Sequence, residues 1–520
     1  MNQIINNKNH FLFLAIISVV LLNYFQFFFN SETINFLFTD DLWVIVGDKY
    51  DSLFEKYFCC SVISPFASIY FQTLYSLSST DQIFINLLFI VGQLLPLSLF
   101  SLKHLPVSRF VKTVAIICLL SSPMYLNYSL RPKPYIFEII IVFIVINLFF
   151  KVIDTKNIGL GDFLLLSIMT LFSLVTVIVV LSCSLLLLIN LLLKKRSVRF
   201  SMFGFSVFTA STLAFFYFAN LLKNDALDNF WSSYFFPLEG GLDQQIRWLY
   251  FSLIRLLSES DPTNLGFSNF STTISIMLLL VAIYSLIKNN RILFFIIFTL
   301  FAIALLLAGL QLYPFGGTRT NIYLFSVLSI CFAYAIAHMS KIRYFSETNF
   351  LLIIVLIVLI SNFNKNSISY SNTTNSINKS TVEFIIQDIT KDKTKVLVHH
   401  GSHWFVGNYF PVEIEMEEIK FFPSEERILG SGGLSIPAPI ILNEQYIQLC
   451  YDFPQTKSLN CLDVLENYLN ESKIESFKFV GFYVEDVDWK GYLEVFKKNN
   501  FKIEKIASED NIVYYLIKNN

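Results

Sequence analysis

Long apolar runs separated by short polar stretches dominate the first 363 residues of the chain. A helix that crosses a hydrocarbon core of about 30 Å needs about 20 apolar residues. Runs of that order lie at 11–29, 83–102, 113–130, 135–150, 202–222, 272–287, 292–312, 322–338 and 350–363. The run 160–193 is too long for one upright helix and short for two. Basic residues flank it on both sides, Lys151 and Lys156 before it and Lys194, Lys195, Arg196 and Arg199 after it. With both clusters in the cytoplasm the run must enter and return, so two short spans that break near Thr176 are expected.

That choice gives eleven spans, with the N-terminus inside and the C-terminal region outside. Lys8, Lys103, Arg109, Lys112, Lys288, Arg291, Lys341 and Arg343 then all fall on the cytoplasmic side, as the positive-inside rule requires. The first opposite loop is acidic: Glu32, Asp40, Asp41, Asp48, Asp51, Glu55 and Asp81 stand against Lys49 and Lys56. No small-residue cleavage site follows the first span, so it reads as an uncleaved anchor. The expected placement is multi-pass in the plasma (inner) membrane, with the C-terminal domain extracytoplasmic.

Two outer loops, 30–82 and 223–271, are long and hold amphipathic stretches at 53–57, 67–77 and 244–257. Loops of that length usually build a site. Residues 1–363 thus form a transmembrane domain, and the Asn/Ser-rich 364–380 a linker. Residues 381–520 form a small α/β domain, with strands at 396–399, 477–484 and 512–517 and helices at 462–469 and 489–499.

Composition agrees with this reading. Hydrophobic residues make up 54%, aromatic 17% and charged 15% of the 520 positions, against about 25% charged in soluble domains. A conventional soluble enzyme is excluded. With Phe 56 and Tyr 25 against Gly 18 and Pro 14, so is a low-complexity chain. A net charge of −1 gives no reason to expect a nucleic-acid partner. The fold class is a polytopic α-helical membrane protein of about 11 transmembrane helices with a C-terminal α/β domain. Cys118, Cys183 and Cys331 fall in spans as packing residues. Cys450 and Cys461 are placed to pair in an oxidising compartment or to remain thiols.

The strongest candidate chemistry is Asp40-Asp41, just past the first span. Adjacent carboxylates raise one another's pKa, which suits a general base, and such a pair also suits a divalent cation. Arg131 and Lys133, in Ser129-Leu130-Arg131-Pro132-Lys133-Pro134-Tyr135, and Arg319, after Gly316-Gly317, are basic residues on the wrong side. An anionic ligand such as a phosphate explains them, as does contact with anionic membrane lipid. The Gly316-Gly317 pair would let the chain approach a ligand closely. Glu138 lies one turn inside the fourth span, where a carboxyl is either functional or snorkels to the interface. His399, His400 and His403 lack an acidic or Cys partner at ligand spacing, so no metal site is assigned. Asp225, Asp228, Glu239 and Asp243 form a weaker acidic set.

An N-in first span followed at once by Asp40-Asp41 resembles the GT-C superfamily of integral membrane glycosyltransferases. Segment 129–135 is similar to that family's stretch after the third span, and Gly316-Gly317-Thr318-Arg319-Thr320 followed by Tyr323-Leu324 to its Arg-bearing loop before a late span. Val396–Tyr409 resembles the start of the small outer domain of bacterial members. Asp41 stands where many relatives have Glu. The resemblance implies transfer of a sugar from a polyprenyl-phosphate donor to a glycan, lipid or protein acceptor. Asp40 or Asp41 would be the base, and Arg131, Lys133, Tyr135 and Arg319 would hold the carrier phosphate. Direct displacement implies inversion at the anomeric carbon. The alternatives are a polysaccharide polymerase or ligase, and a lipid-linked-sugar transporter. The transporter is disfavoured by the scarcity of mid-span charges and the lack of an internal repeat.

Overall fold

The computed structural model describes residues 2–30, 37, 65–155, 159–173, 175–194, 234–260, 268–316, 321–341 and 378–391. It also describes 395–398, 405, 409, 429–430, 433–434, 440–441, 446–448, 466, 469–470, 475–482, 486–509 and 512–519. The helices of the membrane region are α1 (Asn2–Asn30), α2 (Pro65–Ser76), α3 (Asp81–Leu94), α4 (Arg109–Ser121), α5 (Pro123–Ser129) and α6 (Tyr135–Thr155). They continue with α7 (Leu160–Phe172), α8 (Val175–Lys194), α9 (Leu242–Ser260), α10 (Ser268–Asn289), α11 (Arg291–Gly309) and α12 (Ile322–Met339). Three of these helices start on a hydroxyl or amide oxygen cap. Thr80 accepts the Ile83 N–H at 3.2 Å, Ser108 the Val111 N–H at 3.2 Å and Asn290 the Leu293 N–H at 3.2 Å.

Two prolines reshape expected spans. Pro123, which has no N–H to donate, divides 113–130 into α4 and α5. Pro96 turns the end of α3 into a 3-10 helix, Leu95–Ser101. The run 160–193 is two helices, and the break falls at Ser173, slightly before Thr176. Among the described residues, four helices are long and apolar enough to cross a membrane: 81–101, 135–155, 291–309 and 322–339. Shorter apolar helices lie at 12–25, 175–186 and 275–289. The expected spans 202–222 and 350–363 lie outside the described residues.

Helix α12 is the hub. Every residue from Ile322 to Ile336 is buried, and the helix packs on α4, α6 and α10. Peripheral α11 buries Leu293, Ile296, Leu300 and Ala304 while Phe295, Phe298 and Leu306 face outward. Apolar side chains on both faces of a helix belong in lipid, not water. Inside the bundle, Asn23 of α1 donates to the Gln93 side chain of α3 at 2.9 Å and to the Leu120 carbonyl of α4 at 2.8 Å. This polar clip ties three helices together.

The C-terminal domain opens with α13 (Lys379–Lys391). Its strands are β1 (Lys395–Val398), β2 (Leu429–Gly430), β3 (Gly433–Leu434), β4 (Ile440–Ile441), β5 (Tyr446–Gln448), β6 (Ser476–Phe482), β7 (Phe501–Glu509) and β8 (Ile512–Asn519). Helix α14 (Asp486–Lys498) precedes β7. Six strands form one sheet in the order β4-β5-β1-β6-β8-β7. Strand β1 is parallel to both neighbours, with Val396 opposite Tyr446 and Lys478. The period-2 pattern of the strands sends Val396, Val480, Phe482 and Tyr514 to the α13 face, and Leu397, Phe477, Phe479 and Tyr515 to the α14 face. The α13-side core continues without interruption into Phe27, Phe71 and Phe84 of the membrane region. Helix α13 and strand β7 are elements that the sequence pattern did not announce.

The Asn23 clip gives a direct test. Asn23→Ala removes both hydrogen bonds and is expected to destabilise the protein by about 1 kcal/mol, read as a lower unfolding midpoint in detergent. Phe13→Ala, on an exposed face of α1, is expected to change stability by less than about 0.5 kcal/mol.

Candidate active site

The turn between α5 and α6 carries Arg131, Lys133 and Tyr135, and close packing fixes where it sits. The Tyr125 hydroxyl of α5 donates to the Gly92 carbonyl of α3. Ser129, at the end of α5, lies directly over Gly92: a Cβ there would come within 2.4 Å of the Ser129 Cβ. Only glycine lets the two helices approach this closely. The chain then turns through Arg131 N–H to the Tyr128 carbonyl at 3.3 Å and Lys133 N–H to the Arg131 carbonyl at 2.7 Å. Helix α6 begins with Phe137 N–H to the Pro134 carbonyl at 2.9 Å. The rings of Tyr128 and Tyr135 meet edge to face at 5.2 Å across the turn. Arg131 is half-buried, and Lys133 is only 4% exposed. An ammonium withdrawn from water marks surroundings built for charge.

One turn into α6, Glu138 is buried at 5% exposure. The hydroxyl of Ser173, at the break between α7 and α8, donates to its Oε1 at 2.8 Å. Ser173 has extended backbone, and its Oγ also accepts the Val175 N–H at 3.1 Å. The interruption of the helix thus delivers the hydroxyl to the acid. Oε2 of Glu138 has no hydrogen-bond partner among the described residues, and neither has the buried hydroxyl of Tyr323. Tyr313 and Tyr323, ring centroids 6.4 Å apart, stand on either side of segment 314–321. Burial first, and then Glu138, Tyr323 and Tyr135, pushes the Tyr313 phenol well above its ordinary pKa. The four side chains are electrostatic neighbours.

Segment 314–321 is anchored at both ends. Phe315 N–H donates to the Tyr234 carbonyl at 3.1 Å, and the Asn321 amide closes the base on the Pro314 carbonyl at 2.9 Å. Gly316 has a φ of 99°, and a Cβ on it would lie 2.5 Å from the Ser252 Cβ of α9. The close approach expected at Gly316-Gly317 is therefore, at Gly316, an approach to the protein's own helix.

Arg319 itself, with 317–320, lies outside the described residues, as do Asp40 and Asp41. The structure brings Ser173, Tyr313, Tyr323 and, from the turn that carries Arg131 and Lys133, Tyr135 into the neighbourhood of Glu138. Tyr323 belongs to the motif that the sequence offered after Gly316-Gly317, whereas Ser173 and Tyr313 were not singled out by the sequence. Asp243 forms an exposed pair with Arg247 at 3.0 Å, and Asp225, Asp228 and the histidines 399–403 lie outside the described residues. Among the described residues no three His, Cys, Asp or Glu side chains gather to hold a metal ion. Cys118, Cys183 and Cys331 are buried.

No family model matches the chain, and no curated protein matches it in sequence. Among solved structures it is similar to the crystal structure of an oligosaccharyltransferase from Archaeoglobus fulgidus, in complex with Zn and sulfate. The TM-score is 0.45, with 12% identity over 75% of this chain. The chain spans 61% of the length of that protein.

The glycine contact predicts a sharp positional effect. Gly92→Ala is expected to cost about 1–3 kcal/mol of stability through overpacking, measured by thermal unfolding in detergent. Gly161→Ala, where nothing lies within 4 Å, is expected to be neutral or slightly stabilising.

Proposed function

We propose that the chain is an integral membrane glycosyltransferase. It takes a sugar from a polyprenyl-phosphate carrier and passes it to a glycan, lipid or protein acceptor on the outer face, with inversion. The observation that carries this reading is the withdrawal from water of both Lys133, in the turn that leads into α6, and Glu138, at the start of α6, which Ser173 reaches from a helix break. A phosphate ester leaving group needs cations, and cations act more strongly where water is excluded. Sugar hydroxyls need paired donors and acceptors, which a carboxyl and phenols supply. A prenyl tail needs apolar helix surface, which α11 and its neighbours expose.

In the proposed reaction the acceptor hydroxyl oxygen attacks the anomeric carbon. The bond from that carbon to the carrier phosphate oxygen breaks, and its electron pair stays with the phosphate. Asp40 or Asp41 takes the acceptor proton. Lys133, with Arg131 and Arg319, stabilises the charge that grows on the phosphate, and Tyr135 lies in the same turn. The interaction is strongest in the transition state, where that charge is greatest.

Turnover of polyprenyl-phosphate sugars in proteoliposomes tests the proposal. One of Asp40→Asn and Asp41→Asn is expected to lower kcat by about 10²–10⁴ with donor binding retained. Lys133→Met is expected to raise the donor KM by about 10- to 100-fold. Full activity in both Asp variants would remove the carboxylates from the mechanism and overturn the reading in favour of a polymerase, ligase or carrier.

A further inference from the structure

Among the described residues, the C-terminal domain meets the start of the first loop through the Tyr409 phenol and the apolar cluster around Leu37. Strand β1 has a parallel neighbour on each side, and the loops at the carboxyl end of such a strand are where α/β sheets usually present ligand-binding residues. Here, two residues of the chain that leaves β1 pack toward the membrane region instead. The Phe405 ring stacks on Phe482, the last residue of β6, at 4.4 Å and 29°. Tyr409 lies against Phe405 at 4.8 Å.

The Tyr409 hydroxyl uses both of its hydrogen-bonding functions on the membrane region. It donates to Asp81 Oδ2 at 2.5 Å and accepts the Leu37 N–H at 2.8 Å. Asp81 is the first residue of α3, buried, and its Oδ1 accepts the Tyr75 hydroxyl of α2 at 3.1 Å. Burial, and then the charge of Asp81, holds the Tyr409 phenol well above its ordinary pKa, so it remains a donor. Leu37 is fully buried among Phe27, Phe71, Phe84 and Phe405.

Leu37 precedes Asp40 by three residues, a length of chain that reaches roughly 10 Å at most. Fixing the Leu37 amide therefore limits where the two carboxylates can go. We infer that Tyr409 is a positioning residue: through its hydroxyl, braced by Asp81, the C-terminal domain holds the chain at Leu37 and sets the place of the Asp40-Asp41 pair for transfer. This rests on the glycosyltransferase reading above.

Two readouts on the full-length protein in nanodiscs separate the two proposals: hydrogen–deuterium exchange at the Leu37 amide, and turnover at saturating donor. Tyr409→Phe keeps the ring stack and removes the hydroxyl. It is expected to speed Leu37 exchange about tenfold and to lower kcat about tenfold, with donor KM unchanged. Asp81→Asn, which keeps an acceptor oxygen for the phenol, is expected to fall between wild type and Asp81→Leu in both readouts. Unchanged Leu37 exchange in Tyr409→Phe would overturn the clasp. Faster exchange with unchanged kcat would overturn the positioning role. Absence of transfer by the wild type would overturn the glycosyltransferase reading, and the positioning role with it, while the exchange data would still decide the clasp.

Discussion

Glu138 and Ser173 meet at 2.8 Å where α6 passes the break between α7 and α8, and the arrangement of the site follows from that contact. A carboxyl withdrawn from water with one oxygen unpartnered costs about 1–3 kcal/mol or more, and proteins keep such groups mainly where they are used. Ser173 can reach the acid because the helix stops there, so the interruption of a long apolar run serves the site. Tyr313 and Tyr323, on either side of segment 314–321, are electrostatic neighbours of the same acid. Helix α12, buried from Ile322 to Ile336 and packed on α6 and α4, supplies the wall that keeps these parts in register.

Close approach governs the other side of the site. Gly92 lets α5 end against α3, and that packing aims the turn of Arg131 and Lys133. Gly316 does the same for the second loop by seating it on α9. Leu126 and Leu130, which flank Ser129, share one apolar cluster with Phe84, Phe405 and the α13 face of the sheet. The C-terminal domain is thus packed onto the end of the bundle where the cationic turn lies, and its Tyr409 reaches the chain just before the acidic pair.

Much of this was legible in the sequence because hydrophobic period and charge are strong signals. The reading of 160–193 as two helices rested on the flanking basic clusters, and Ser173 lies close to the expected break. The segment 129–135 stands out because its cations break the charge pattern expected from the spans, and the structure finds Lys133 withdrawn from water. What escaped were groups whose meaning is tertiary. Tyr313 looks like an ordinary packing aromatic among 25 tyrosines, Tyr323 and Tyr409 enter only as letters of longer motifs, and only the fold gives the three hydroxyls partners or neighbours. Pro123 was read as part of a continuous span because the apolar run on either side outweighed it. The ligand approach expected at the Gly316-Gly317 pair became, at Gly316, a helix contact, since spacing alone does not say what a glycine faces.

The central claim is that the turn of Lys133 and the loop of Arg319 act on one phosphate. Equilibrium binding of polyprenyl phosphate to the protein in nanodiscs, with Lys133→Met, Arg319→Met and the double variant, tests it most directly. The account predicts that each single variant weakens binding and that the double variant weakens it by less than the two effects combined, because both cations contact the same group. Binding that is unchanged in both single variants, or losses that add fully in the double variant, would contradict a shared phosphate site.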